Sequence, residues 1–350
     1  MNDTGPKPAS VSLSVAMATY NGAAFLDEQL QSLSRQTLLP DELVVSDDGS
    51  TDETLNLIRS YAATAPFPVR ILDKAQRLGF ADNFLHAAEQ AHGELVALCD
   101  QDDVWLPTKL EHSVSRLLAD DSLLSMHQLT MTDEAMKPIG QWDQGISGDR
   151  IIAPLAIDPL SGWGNTMVFR RSLATLVPRS ERPLDFLAGR LLSHDTWLYI
   201  LAVATGRVSH IAEPLILYRQ HGTNVVGMQV PGLLGRLRSA TTVPLSTYHG
   251  QTIFYEHLAA MFDRLAARDW TGERDGVGKA AAAAADRYRA RGSRAATRAA
   301  LHDGRTLGAR LLAFRQLYVT PRVPSADGPP GILSGIKDLG LGVTGWGRHV

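Results

Sequence analysis

Asp100-Gln101-Asp102-Asp103 sets three carboxylates within four residues, directly after the apolar run Glu94–Cys99. Like charges this close repel, and the repulsion is tolerable where a cation neutralises it. Carboxylate oxygens are hard ligands that suit Mg2+ or Mn2+, ions that commonly bridge protein carboxylates and substrate phosphates. The plainer reading is a solvated acidic turn capping the helix that starts near Pro107. A second cluster, Asp47-Asp48-Gly49-Ser50, follows the apolar run Glu42–Ser46. A carboxylate beyond a strand end can accept from a base N–H or from ribose hydroxyls, and Gly49 permits a tight turn. Capping of the next helix by Asp48 or Ser50 fits as well, since Ser50 and Glu53 have capping-box spacing.

The elements that position these clusters alternate. Val11–Ala18, Glu42–Ser46, Val69–Leu72 and Glu94–Cys99 are strand-like runs. Between them lie helical patterns: Phe25, Leu26, Leu30 and Leu33, with Asn21 as a candidate cap; Leu55, Leu57 and Ile58; and Phe80–Ala91, ended by Gly93. Pro107 suits the first turn of a helix over Leu106–Leu118. Alternation of this kind predicts an α/β fold with a mostly parallel, doubly wound sheet, whose ligands sit beyond the carboxyl ends of the strands. Thr19-Tyr20-Asn21, Asp47-Asp48 and Asp100-Asp102-Asp103 all fall at such ends. Farther on, Leu123–Met131 reads as a strand and Trp142–Arg150 as a loop. Thr166–Phe169 is a short apolar stretch, Thr196–Ala204 is a helical run opened by His194-Asp195, and Leu215–Tyr218 is a last strand. We divide the chain at 1–225 and 226–350. The second part is helical and rich in Ala and Arg. From Asp286 to Arg322 nine arginines oppose two acids, and prolines 321, 324, 329 and 330 precede a glycine-rich tail.

The chain has 350 residues, is 44% hydrophobic and 20% charged, and carries a formal net charge of -3. This composition excludes a mainly disordered chain and a polycationic nucleic-acid binder. The single cysteine, Cys99, allows no internal disulfide and no cysteine-based metal cage. No apolar run approaches the roughly 20 residues of a membrane span. The polar start, Met1–Ser10, followed by Val11–Ala18, fits a first strand better than a signal peptide. A soluble, cytoplasmic protein is expected. Gly276-Val277-Gly278 lacks the preceding strand that a dinucleotide loop requires.

The ordered set Ser14–Gly22, Val44–Asp52, Gly79, Asn83 and Asp100–Asp103 resembles the family 2 glycosyltransferases of the GT-A fold, over roughly residues 11–225. His194-Asp195-Thr196-Trp197 and Leu217–Asn224 are similar to its bacterial rhamnosyltransferase-like branch, which builds surface polysaccharides. The resemblance implies a nucleotide pocket lined by Thr19, Tyr20 and Asn21, with Asp47 or Asp48 toward base and ribose. It implies that Arg77 and Asn83 lie in the region closing over the nucleotide, Asp100 near the ribose, and Asp102 on Mg2+ or Mn2+. Asp195 matches the catalytic base; members often carry Glu-Asp there, and this chain has His194-Asp195. His221 is implied at the diphosphate or metal, beside the alternative of an ordinary loop histidine. The Gln-x-x-Arg-Trp motif of processive synthases is absent.

The expected reaction is inverting transfer of a sugar from a nucleoside-diphosphate donor to a saccharide or lipid-linked acceptor. The first donor considered is dTDP-L-rhamnose, the next a UDP-hexose. Trp163, Asn165 and Trp105 are candidates for acceptor contact, with core packing as the alternative for each tryptophan. Leu307, Leu311, Leu312, Phe314 and Leu317, interleaved with Arg310 and Arg315, suit an amphipathic helix. Such a helix is either a solvated surface or a peripheral contact with anionic lipid. Two competing readings are a sugar nucleotidyltransferase, disfavoured by the loop Thr19–Gly22, and a non-catalytic scaffold, whose mark would be a lost metal or base aspartate.

Overall fold

The computed structural model describes residues 11–73, 76–142, 148–153, 155, 163–222, 245–270, 275–304, 306–319 and 338–343. The chain divides into two compact units, Met1–Ser180 with Ser193–Gly227, and Glu181–Leu192 with Met228–Val350. The excursion Glu181–Leu192 lies outside the linear division at residue 225. The prolines after Arg315 and most of the glycine-rich tail fall outside the described residues, as do 143–147 of the loop expected over Trp142–Arg150 and the motif's end at Thr223-Asn224.

In the first unit, strands β1 (Leu13–Thr19), β2 (Glu42–Asp47), β3 (Val69–Leu72) and β4 (Leu95–Cys99) are parallel neighbours in the order β3-β2-β1-β4. Every residue of β1, β2 and β4 is buried, as expected of parallel strands covered on both faces. Helices α1 (Leu26–Ser34), α2 (Thr54–Ala62) and α3 (Phe80–Glu89) join them. Leu26, Leu30 and Leu33 of α1 recur at helical spacing and enter one core cluster with Val15, Met17, Leu43 and Ile58.

The sheet continues into mixed pairing. β5 (Val104–Trp105), β6 (Leu124–Thr132), β7 (Pro138–Trp142), β8 (Arg150–Ile152), β9 (Met167–Arg170) and β10 (Val208–Arg219) complete ten strands among the described residues, with α4 (Lys109–Ala119) and α5 (His194–Thr205) between them. β9 runs antiparallel to both β4 and β6, and β10 runs parallel to β6. The two-residue β5 and the rim strands β7 and β8 lack a readable period, so the sequence did not announce them. The strand expected at Leu215–Tyr218 begins earlier, at Val208, and is interrupted by register shifts around Pro214.

Two expected helix caps are absent. α1 has no side-chain cap, and Asn21 instead sits at φ 47, with its Oδ1 accepting from the Thr51 amide at 2.8 Å. Ser50 does not close a capping box with Glu53. Its hydroxyl donates to Asp47 at 2.5 Å and accepts from the Asn21 amide at 2.8 Å. In both cases a polar side chain that could cap its own helix binds the neighbouring strand tip instead.

In the second unit, α6 (Leu245–Ala266) packs along α7 (Asp275–Asp303), with Phe262 stacked on Tyr288 at 5.5 Å. α8 (Leu307–Tyr318) buries Ala313 and Leu317 with Leu301 and Val343. The buried Asp338 accepts from Arg298 at 2.8 Å, Tyr318 at 2.5 Å and His302 at 3.1 Å. Residues 181–192 form a tight turn in which Leu184 bridges Leu191 and Phe186 packs on Phe254 at 5.5 Å. No helix among the described residues is long and apolar enough to cross a membrane.

At the edge of the parallel sheet away from the acidic tips, Glu42 opens β2. Its carboxylate accepts from Ser14 Oγ and the His92 amide, both at 2.7 Å, and pairs with Arg70 at 3.1 Å. Burial raises its pKa, but the His92 amide, Ser14 and Arg70 outweigh burial and hold the carboxyl below its ordinary value of 4.5. A depressed folded-state pKa gives stability that is present above 4.5 and is lost as pH falls through the folded value. Glu42→Gln is therefore expected to cost about 2 kcal/mol in urea unfolding at pH 7, with the gap from wild type closing in acid. A gap that is constant with pH would assign the loss to packing.

Candidate active site

The tips of β1, β2 and β4 stand side by side: Thr19 is in register with Asp47, and Met17 with Cys99. Asp47 accepts from Thr19 Oγ1 at 2.8 Å, from the Gly49 and Ser50 amides at 3.0 and 2.8 Å, and from Ser50 Oγ. Asp48 accepts from the amides of Leu78 at 2.7 Å and Gly79 at 2.9 Å. Gly79 has φ 82, a left-handed conformation that glycine adopts without strain. Asn83 of α3 donates to the Ser46 and Thr19 carbonyls and accepts from Ser46 Oγ. Thr19, Asp47 and Asn83, expected around the nucleotide with Thr19 largely through its backbone, are buried, and their side chains bond one another's strands and the turn amides. Their place in the structure is beneath the rim, where they fix it.

What the rim presents to solvent is Tyr20 and Arg77. The guanidinium lies 3.8 Å from the Tyr20 ring centroid, its Nε 3.6 Å from Asp48. Tyr20 is 41% exposed and the Arg77 side chain 59%. Asn21 is also exposed.

The loop after β4 is stitched to β1 by Gln101. Its Oε1 accepts from the Tyr20 amide at 2.9 Å, and its Nε2 donates to the Tyr20 carbonyl at 3.1 Å. A Cβ at Gly22 would strike the Gln101 side chain, so that approach needs glycine. Asp102 Oδ2 lies 2.9 Å from His221 Nε2, which projects just beyond the end of β10. Asp103 is fully buried and accepts from Asn165 Nδ2 at 2.5 Å and the Arg219 amide at 3.3 Å. Burial, then the Asp102 charge, pushes its carboxyl up to about 8. Desolvation first, and then the charges of Asp103, Asp102 and Asp195, push the Asp100 carboxyl well above the ordinary carboxylate range.

Asp195 therefore lies within electrostatic reach of Asp100, although 95 positions separate them in the chain. It stands in the first turn of α5, where the helix dipole favours a carboxylate. Ser193 Oγ donates to its Oδ1, as does the Thr196 amide at 2.6 Å. Both bonds fall on one oxygen, Oδ1. His194 is held edge-on to Phe80 at 5.9 Å and stacked on Phe84 at 4.2 Å. It also fills the space a Cβ at Gly164 would need.

The acceptor candidates divide. Trp105 is 2% exposed and packs in the core, and Asn165 is 1% exposed and bonded to Asp103. Neither offers a face to a ligand: the Lys109 ammonium lies over the Trp105 ring, and Asn165 is held between Lys109 and Asp103. Trp163 is half-buried, edge-on to Tyr218 at 4.9 Å.

Sequence reasoning missed Gln101, Arg219 and Lys109. Arg219 is buried, yet it donates to the Asp102 carbonyl at 3.0 Å, the Glu134 carbonyl at 2.5 Å and Glu28 at 2.5 Å, and lies over the Phe25 ring. The one available signal was its place two residues before His221. Arg219→Lys cannot reproduce this fork and is expected to lose roughly 3 kcal/mol. Glu28→Gln, at a site 58% exposed, is expected to lose about 1 kcal/mol or less. Denaturant unfolding of both variants checks the order, and equal losses would place the arginine's hold on Glu28 rather than on the loop carbonyls.

Asp102 with His221 is a carboxylate–imidazole pair. Among the described residues no group of three or more His, Cys, Asp or Glu gathers as a cage. Two protein ligands beside crowded carboxylates suit a divalent cation that takes its remaining oxygens from phosphate and water. The residues present thus fit Mg2+ or Mn2+.

Comparison with known proteins agrees with this geometry. Residues 14–174 match the family model described as Glycosyl transferase family 2. An uncharacterized glycosyltransferase of Nostoc sp. is 32% identical over 218 residues, 61% of this chain and 66% of that protein. The dTDP-rhamnosyl transferase RfbG of Shigella flexneri is 28% identical over 224 residues, 61% of this chain and 74% of that one. The crystal structure of S. aureus TarS 1-349 in complex with UDP-GlcNAc shares the fold, with a TM-score of 0.52 at 18% identity, covering 87% of this chain and 81% of that chain. The chain spans 60 to 66% of the length of the first curated relatives it matches. A mostly parallel sheet flanked by helices, with acidic tips on β2 and β4, is the GT-A arrangement, and residues 14–174 of the chain are similar to glycosyl transferase family 2.

Proposed function

We propose that the protein is an inverting, metal-dependent glycosyltransferase that moves a sugar from a nucleoside-diphosphate donor to a hydroxyl of a saccharide or lipid-linked acceptor. The observation that carries this reading is that His194, the neighbour of Asp195, packs against Gly164, whose neighbour Asn165 bonds Asp103 of the loop that also holds the Asp102–His221 pair. Tyr20, Arg77 and Asn21 take the nucleotide at the exposed rim, with Asp48 anchoring Arg77 and its loop from below. Asp100 takes the ribose, and Trp163 the acceptor. The likeness to RfbG favours dTDP-L-rhamnose as donor, ahead of a UDP-hexose.

The chemistry follows from charge. An acceptor hydroxyl is a poor nucleophile until its proton is removed. Asp195 takes that proton while the hydroxyl oxygen attacks the anomeric carbon. The bond to the nucleoside diphosphate breaks on the opposite face, so one displacement inverts the centre without a covalent enzyme intermediate. Asp102 and His221 would hold Mg2+ or Mn2+, which when bound supplies positive charge against the negative charge developing on the diphosphate. Asp195→Asn is expected to lower transfer by about 10³-fold while leaving the donor-induced thermal shift intact. Transfer at the wild-type rate would remove Asp195 from the base role, and full activity in excess chelator would remove the metal.

We further propose that α8 makes peripheral contact with anionic lipid. Its apolar residues split between two faces rather than forming one. Ala313 and Leu317 are buried, whereas Leu307, Leu311 and Leu312 are 48 to 56% exposed, with Arg315 exposed on the same side. Wild type is expected to pellet with anionic vesicles at low salt, and Leu311→Glu/Leu312→Glu to stay in the supernatant. Wild type that also stays in the supernatant would refute the contact.

A further inference from the structure

Lys109 opens α4 and is completely buried. An ammonium out of water is unfavourable, and the positive end of a helix makes it more so. A lysine retained there has compensation close by. Its Nζ donates to the Asn165 carbonyl at 2.7 Å and lies 3.1 Å from the centroid of the Trp105 ring. The same Asn165 donates through its side chain to Asp103 at 2.5 Å. Asn165 thus links the ammonium to a carboxylate of the acidic loop, and the Lys109 charge acts favourably on both Asp103 and Asp100.

We propose that Lys109 is a positioning residue whose buried ammonium is the standing counter-charge that keeps the Asp100–Asp103 loop assembled before a cation arrives. This rests on the functional reading above only for the cation. The electrostatics bear it out. Burial works against the charge on Lys109 and on Asp103, and the attraction between the ammonium and the Asp103 and Asp100 carboxylates opposes it. Desolvation and then the Lys109 charge also hold the buried His127 imidazole well below its usual value. His221 pairs with the Asp102 carboxylate, and Arg219 of β10 holds the Asp102 carbonyl. Lys109 reaches the loop from beneath through Asn165.

The test is a double-mutant cycle on the full chain: wild type, Lys109→Met, Asp103→Asn and the double variant, melted with and without MnCl2 and with no nucleotide or sugar. Lys109→Met is expected to lower the midpoint of the first unit's transition by roughly 10 °C, because it leaves buried carboxylates uncompensated. Adding Asp103→Asn is expected to recover at least half of that loss. Mn2+ is expected to raise the midpoint of Lys109→Met more than that of wild type, since the ion takes over the missing charge. Additive losses in the cycle would overturn the proposal and leave Lys109 a packing residue. Coupling in the cycle with no Mn2+ shift in any variant would uphold the counter-charge and count against the cation site. Should Lys109→Met not fold, recovery of folding in the double variant supports the proposal. Asn165→Ala then serves as the second probe, since it cuts the link to Asp103 and spares the backbone carbonyl that Lys109 uses. A Mn2+ shift in Asn165→Ala equal to that of wild type would overturn the proposal.

Discussion

Repulsion among carboxylates at neighbouring strand tips is the constraint on which the rest of the first unit depends. Asp47, Asp48, Asp100, Asp102 and Asp103 follow the parallel strands β2 and β4, which end on one rim, and Asp195 comes from the first turn of α5. A sheet of that kind delivers its loops to one side whether or not their charges agree. The structure answers each charge separately. Backbone amides take Asp47 and Asp48, an imidazole takes Asp102, an asparagine takes Asp103, and a helix N-terminus takes Asp195. Asp100 has its charge opposed by Asp103, Asp102 and Asp195 and favoured by Lys109, and its carboxyl sits well above the ordinary carboxylate range.

The two acidic pairs consequently do different work. At β2 both carboxylates are consumed by turn amides, so their charge shapes loops and orients Arg77 over Tyr20. At β4 Asp102 meets the His221 side chain, and Asp103 meets the Asn165 side chain as well as the Arg219 amide; side chains can exchange partners when a ligand enters. The same residue type thus builds a rim in one place and leaves a reactive one in the other, according to whether backbone donors lie within reach.

Charge also organises the second unit. Asp338 gathers Arg298, His302 and Tyr318, and Arg289 bridges Asp263 and Asp286. These members of the Arg-rich stretch therefore hold helices together rather than simply coating them. The exposed leucines of α8 lie on the side away from that packing, and this is why the helix has two apolar faces rather than one.

The sequence by itself determined the parallel core, because β1 to β4 and the helices between them obey local periods that survive in isolation. It also determined which tips would be acidic, since the residue after a strand is fixed by chain order. It did not determine which of those acids would face a ligand. Asp47, Asn83, Trp105 and Asn165 carry the residue types of a binding site, yet the folded chain buries all four. Lys109, Arg219 and Gln101 looked like ordinary helix, strand and loop residues, and they acquired their roles only from partners up to 191 positions away. Such pairings depend on β9 and β10 folding back beside β4 and β6, and no local period encodes them. Periodicity reports which side of an element is buried, and only the folded chain decides which charge meets which.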